Sequence, residues 1–278
     1  MDRVNLFIIG VNKSGTNWLN HLLAQHPDVF MSDVKELNYF NDREPGTHSL
    51  EEYHSYFPFS DGYTYYGEAS ARYYEDEAVA PKLYEYNPEA KLLAIVRDPV
   101  ERLLSQYRYH KQLGVIEEST TLEEALNGRD PALLRDSHYE RTLPAFADQF
   151  GPDQFRVVSL EQGLDDPAAE WERLLDYLSL PAAPCPNSDD LPKNSTGSAS
   201  FRRLYRMTVR PIRSYAPGLY RWMLQSKAVQ RVKLGLLRVL GTAQKDAISP
   251  ALREELRTEE FAPTYTYLRR ELGLDVYA

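Results

Sequence analysis

The sequence predicts a single α/β domain with a central, mostly parallel sheet flanked by helices. Short apolar runs rich in branched residues alternate with segments of helical spacing along most of the chain, as strands joined by crossover helices do. The first such run feeds a glycine-framed loop and then a helical segment. No stretch repeats, and 278 residues with 42% hydrophobic and 26% charged side chains suit one globular core. Residues 1–278 are therefore read as one domain, with a helical subregion at 201–278 covering a cleft.

Residues 4–9 (Val-Asn-Leu-Phe-Ile-Ile) form the first strand, an apolar run too short for a secretion signal. Residues 10–15 are a loop. Trp18, Leu19, Leu22 and Leu23 give 17–25 helical spacing, which stops before His26-Pro27. Val29–Met31 is a short strand, Tyr39-Phe40 a strand end and 41–49 a loop. Residues 63–66 make the next strand, a loop passes through 67–70, and a helix over 77–86 ends at Asn87-Pro88. Lys91–Val96 is the clearest later strand. Asp98-Pro99 opens a helix towards Gly114, since proline at a first helical position forfeits no bond. Helices follow at Leu122–Leu126, 131–134 and Tyr139–Phe150, then a strand at Phe155–Ser159 and a helix at 168–178. Four prolines make 180–193 a loop or linker.

Composition narrows the function. A net charge of −9 disfavours nucleic acid as partner. No run reaches the roughly 18 apolar residues of a membrane span. A lone cysteine, Cys185, forms no internal disulfide, and the expected compartment is the cytoplasm. Charge is unevenly placed: residues 201–240 hold ten Arg or Lys and no Asp or Glu. Within them, 219–240 reads as a basic amphipathic helix. It packs on the core with a solvated face, walls an anionic acceptor, or touches an anionic membrane peripherally.

The sharpest local signal is Gly10-Val11-Asn12-Lys13-Ser14-Gly15-Thr16-Asn17-Trp18, a P-loop-like strand-loop-helix phosphate site. Glycines let backbone amides approach an anion at a helix start, and Lys13, Ser14, Thr16 and Asn17 add a charge and polar contacts. The glycine frame matches the nucleotide-triphosphate loop, but Thr16 stands where that motif has lysine. The strand Lys91–Val96 ends in Arg97-Asp98-Pro99 rather than in the carboxylate that supports Mg²⁺. Both departures weaken a nucleotide or small-molecule kinase, which is the alternative enzyme reading.

Lys13-Ser14-Gly15-Thr16-x-Trp18 resembles the 5′-phosphosulfate loop of sulfotransferases that use 3′-phosphoadenosine 5′-phosphosulfate (PAPS). Arg97-Asp98-Pro99-x-Glu101-Arg102-x-x-Ser105 resembles their 3′-phosphate motif. His26-Pro27-Asp28-Val29 and Lys35-Glu36-Leu37-Asn38-Tyr39-Phe40 are most similar to the branch acting on heparan-type glycans and its bacterial relatives, and the tail at 249–274 resembles bacterial members. The resemblance implies PAPS as donor, no metal, and a glycan, lipid or small-molecule acceptor. It implies that Lys13 neutralises the leaving oxygen, that Ser14, Gly15, Thr16, Asn17 and Trp18 bind the donor, and that Arg97 and Ser105 grip the 3′-phosphate. Glu36 matches the acceptor's general base, with His110, His54 or His48 as runners-up. Residues 67–73 resemble a segment lining the acceptor cleft and offer Glu68, Arg72 and Tyr73 as substrate contacts. Ala69 stands there in place of the glycan enzymes' lysine, and Glu68 doubles as a second base or a partner for Arg97. Lys193-Asn194-Ser195-x-Gly197-Ser198 followed by Arg202 and Arg203 occupies the place of the family's last cofactor loop, which often reads Lys-Gly-Arg and here does not; it closes over the nucleotide's phosphates or is a flexible linker whose arginines form salt bridges. A non-catalytic nucleotide-binding module is a further alternative, against which Lys13 and Glu36 together argue.

Overall fold

The computed structural model describes residues 3–41, 49–127, 132–187 and 248–276. Five strands, β1 (Leu6–Gly10), β2 (Val29–Met31), β3 (Tyr65–Ala69), β4 (Lys91–Val96) and β5 (Phe155–Ser159), form one sheet in the order β2-β3-β1-β4-β5. Every pairing is parallel. Parallel strands covered on both faces must be apolar at every position, and all five β1 residues are buried. Alternate side chains serve opposite layers. Leu6 and Ile8, with Leu93 and Ile95 of β4, pack under α1 (Thr16–Leu23). Phe7 and Ile9, with Leu92, Ala94 and Val96, pack under α3 (Val79–Tyr86), a helix that follows the short α2 (Leu50–His54).

The same layer holds α4 (Pro99–Leu113) and α7 (Tyr139–Phe150), separated by the short α5 (Leu122–Leu126) and α6 (Ala132–Arg135). Asp98 caps α4 by accepting from the Glu101 amide (2.9 Å), Pro99 opens it, and Gly114 closes it at φ 73°. After β5 come α8 (Leu160–Asp165) and α9 (Pro167–Tyr177), whose Trp171, Leu174 and Leu175 join the α1 layer. The C-terminal segment forms α10 (Pro250–Glu255), a π turn (Leu256–Glu260) and α11 (Ala262–Arg270). Its Leu256, Phe261, Tyr265 and Leu268 enter the α4–α7 layer, so it shares one core with the sheet.

Two expectations are corrected. Gly67, Glu68 and Ala69 are strand, not loop. Asn5 fixes the register by accepting from the Tyr66 amide (2.8 Å), and the end of the Met31 side chain packs in the space beside Gly67. Tyr39-Phe40 is a turn, not a strand end: Asn38 lies at φ 52° and accepts from the Asn41 amide (3.3 Å). The aromatic character that suggested a strand serves packing instead, with Phe40 against Phe7, Tyr53, Tyr73 and Tyr86.

The strand order sets the site. The chain leaves β1 towards β2 and leaves β4 towards β5, in opposite directions from two adjacent strands. Such a switch point opens a crevice at the carboxyl ends of the strands. Gly10 and Val96 end those two strands, so the glycine loop and the Arg97 corner are neighbours there.

Candidate active site

The loop after β1 reaches α1 through two left-handed residues, Lys13 (φ 72°) and Gly15 (φ 102°). Left-handed backbone is costly for lysine and persists where the surroundings impose it, often at a site. Gly15 provides no side-chain cap to α1, and the first turn carries no acid, so an anion is the natural complement of that helix end. Ser14 is fully buried beside the Tyr139 phenol, and its hydroxyl makes no hydrogen bond of acceptable geometry among the described residues.

At the neighbouring strand end, Arg97 keeps 27% of its side chain exposed and pairs with Glu101 (3.5 Å). The partly exposed positions of α4 are Glu101, Ser105, Arg108, Tyr109, His110, Gln112 and Leu113, a stripe on the side of the helix away from the core. Lys13 Nζ lies 3.3 Å from the centroid of the Tyr109 ring, which ties the loop to that stripe.

Glu36 also has left-handed backbone, at φ 58°, and its Oε2 accepts from the Ala71 amide (3.0 Å). The residue stays open to solvent while protein atoms crowd its carboxylate, the situation of a group in a cleft. Burial pushes the carboxyl above its ordinary range, against Lys35, the Ala71 amide, Arg72 and Lys13. Lys13 is thus within electrostatic reach of Glu36. Burial lowers the Lys35 amine to about 8, with Glu36 opposing, and that amine donates to Asn17 Oδ1 at the start of α1.

Several expected contacts lie elsewhere. Glu68 is wholly buried: Tyr53 and Tyr73 donate to its Oε1 (2.9 Å each) and Ser70 to its Oε2 (2.6 Å). Burial raises it to about 7, against these donors. It lies under the cleft floor and does not meet an acceptor, and the partner found for Arg97 is Glu101. Tyr73, also wholly buried, belongs to the same network. Arg72 is half-exposed but neutralised by Glu75 through Nε and Nη2. Trp18 packs in the core against Gly163, and its indole N–H has no hydrogen-bond partner among the described residues. His110 sits 2.7 Å from the Gln106 amide near the end of α4, and His54 2.8 Å from the Tyr86 hydroxyl within aromatic packing. Arg202, Arg203, the 193–198 loop, the basic helix at 219–240 and His48 lie outside the described residues.

Arg102 carried no assigned role, yet it braces the site. Fully buried, it donates to Ser137 Oγ (2.6 Å), Leu133 O (2.8 Å) and Asn12 O (3.4 Å), joining α4 and the 133–137 segment to the glycine loop. An arginine on the inward face of an amphipathic helix was the available signal. Among the described residues no group of three His, Cys, Asp or Glu is placed to hold a metal, and no helix is long and apolar enough to cross a membrane.

The sulfotransferase domain family matches residues 3–199. Heparan sulfate glucosamine 3-O-sulfotransferase 5 of Mus musculus is 30% identical over 186 residues, which cover 63% of this chain and 53% of that protein. Bifunctional heparan sulfate N-deacetylase/N-sulfotransferase 2 of Homo sapiens is 25% identical over 199 residues, covering 64% of this chain and 22% of that protein. The chain thus spans about half the length of the first of these relatives and less of the second. A sulfotransferase from Alicyclobacillus acidocaldarius shares the fold, with a TM-score of 0.60 and 23% identity over 79% of this chain and 96% of its own. The family match takes in the loop after β1, the Arg97 corner and Glu36 alike, and the chain belongs to the sulfotransferase family.

Proposed function

We propose that the chain transfers the sulfuryl group of PAPS to an acceptor hydroxyl or amine and releases adenosine 3′,5′-bisphosphate. One observation carries this reading: the Lys13 loop and the Arg97 corner leave adjacent parallel strands into one crevice, with Glu36 within electrostatic reach of Lys13. The described residues fit the donor. The uncapped start of α1 suits its 5′-phosphate, and the partly exposed Arg97 and Ser105 suit its 3′-phosphate. Bound there, PAPS supplies an activated sulfuryl group and a stable nucleotide leaving group.

The chain's own groups supply the rest. Lys13 leaves the Tyr109 ring to neutralise charge growing on the leaving oxygen, where electrostatic stabilisation is usually the largest contribution. Glu36 holds an acceptor next to Lys13 and takes its proton at Oε1 or Oε2 as the new bond forms. Its raised basicity suits it to this role better than an ordinary surface carboxylate. Lys35 ties the Glu36 segment to the start of α1 through Asn17, so base and phosphate loop stay in register.

The acceptor is a glycan, lipid or small molecule. The relatives named for heparan sulfate support a glycan. In this chain, however, Ala69 is buried in β3 and Arg72 is neutralised by Glu75, so the 67–73 wall offers no spare cation to an anionic sugar. Thermal shift tests the donor: adenosine 3′,5′-bisphosphate should raise Tm without added metal and ATP with Mg²⁺ should not. Labelled-donor transfer onto an acceptor panel then assigns the class, and stabilisation by ATP alone would overturn the reading.

A further inference from the structure

Arg253 lies on α10, beyond the stretch that the family match covers. Its Nη1 is 2.9 Å from Glu101 Oε1, while Arg97 Nη2 is 3.5 Å from Glu101 Oε2. One carboxylate therefore stands between two guanidiniums from distant parts of the chain. Both remain partly open to solvent, at 27% exposure for Arg97 and 30% for Arg253. Burial works to raise the Glu101 carboxyl, but Arg253, Arg97 and Arg108 together hold it below its ordinary value. Three cations thus converge on a single carboxylate, one helical turn before Ser105.

Stability does not account for this arrangement. A partly exposed arginine–carboxylate pair contributes little, and the C-terminal segment is fastened by other contacts. Tyr265 donates to the buried Asp98 Oδ2 (2.8 Å), and Arg257 stands 3.5 Å from the same oxygen. Thr264 donates to Glu140 Oε2 (2.7 Å), and His138 bridges Glu140 (3.0 Å) and Glu260 (2.8 Å). Glu161 is the nearby carboxylate on the other side of the corner; it accepts from the Asp98 amide, and burial favours its neutral form. The guanidiniums of Arg97 and Arg253 share this one carboxylate, and a phosphate dianion would complement the pair.

Resting on the donor reading above, we infer that Arg253 is a third ligand of the donor's 3′-phosphate, with Glu101 pairing with Arg97 and Arg253 until the phosphate displaces it. The C-terminal segment then completes the donor site and discriminates a 3′,5′-bisphosphate from a 5′-monophosphate.

Calorimetric titration with adenosine 3′,5′-bisphosphate and with adenosine 5′-phosphate tests this on the full chain. Arg253→Gln should weaken the bisphosphate by about tenfold or more, the scale of one lost charge-assisted contact, and leave the monophosphate unchanged. Arg97→Gln is the reference for the donor reading, and Tyr265→Phe loosens the C-terminal segment without removing a cation. If Arg97→Gln changes nothing, the donor reading itself falls. If Arg97→Gln weakens the bisphosphate and Arg253→Gln does not, only the present inference falls. Equal losses for both nucleotides, matched by Tyr265→Phe, would reduce Arg253 to a fastener and also overturn it. Glu101→Gln gives an independent reading should Arg253→Gln fail to fold: it should tighten the bisphosphate by removing the competing carboxylate, and an unchanged or weaker affinity counts against the inference.

Discussion

The Lys13 ammonium lies over the face of Tyr109, 3.3 Å from the ring centroid, so the glycine loop and α4 meet through this pair. Tyr109 gives the cation a resting place that costs little to leave, because a partly exposed cation–π contact is worth only about 0.5–1 kcal/mol.

Lys13→Ala should therefore cut kcat by about 10²–10³, the scale of losing one preorganised electrostatic contact in a transition state. Donor binding should fall much less, since Ser14, the α1 amides and Arg97 remain. Single-turnover rates beside nucleotide titration check this, and a near-normal kcat would refute the role.

Glu36 must be ionised to accept a proton. Its carboxyl titrates above the ordinary range, so activity should fall as pH drops through that raised value. Glu36→Gln should remove this acidic limb and cost about 10²–10⁴ in kcat. His110→Ala should keep the limb, since His110 is engaged by Gln106. A limb that disappears only in His110→Ala would transfer the base to the histidine.

The sequence exposes those parts of the fold in which one local rule decides the outcome. Lys91–Val96 and Tyr139–Phe150 stand where their apolar spacing put them, and Asp98-Pro99 opens α4 because capping is local chemistry. Glu68 shows where local rules stop. Its neighbours Gly67 and Ser70 signal a loop, and only long-range packing from Met31 and Tyr53 makes the segment a buried strand. The pairing of Arg253 with Glu101 spans 152 positions and has no local signature.

Buried Glu68 makes stability depend on pH. Its folded value of about 7 exceeds the ordinary 4.5, so the folded state binds its proton more tightly. The stabilisation is complete below pH 4.5 and is lost as pH rises through about 7, on the order of 3 kcal/mol in all. Glu68→Gln should flatten the decline in Tm between pH 5 and pH 8 relative to wild type. Parallel slopes in melts across that range would show that Glu68 is ionised in the fold throughout.

Arg102 acts on the donor site through Asn12. Arg102→Met leaves the Leu133 and Asn12 carbonyls without this donor and should cost about 2–4 kcal/mol. Because one of those carbonyls belongs to the glycine loop, KM for the donor should rise more than kcat falls, and Arg102→Lys should recover part of it. Melting curves combined with donor KM separate this from a purely global loss of stability.

Gly15→Ala tests whether loop shape or loop chemistry binds the phosphate. At φ 102° an alanine is strained, by about 1–2 kcal/mol, and its Cβ would stand 2.6 Å from Leu160 Cδ1. Either the loop turns back towards ordinary backbone or Leu160 yields. Leu160→Ala relieves the second conflict and not the first. If the double variant still binds adenosine 3′,5′-bisphosphate about tenfold or more weaker than Leu160→Ala alone, the left-handed turn itself presents the α1 amides to the phosphate. Full recovery would mean that the loop tolerates alanine and that side chains carry the affinity.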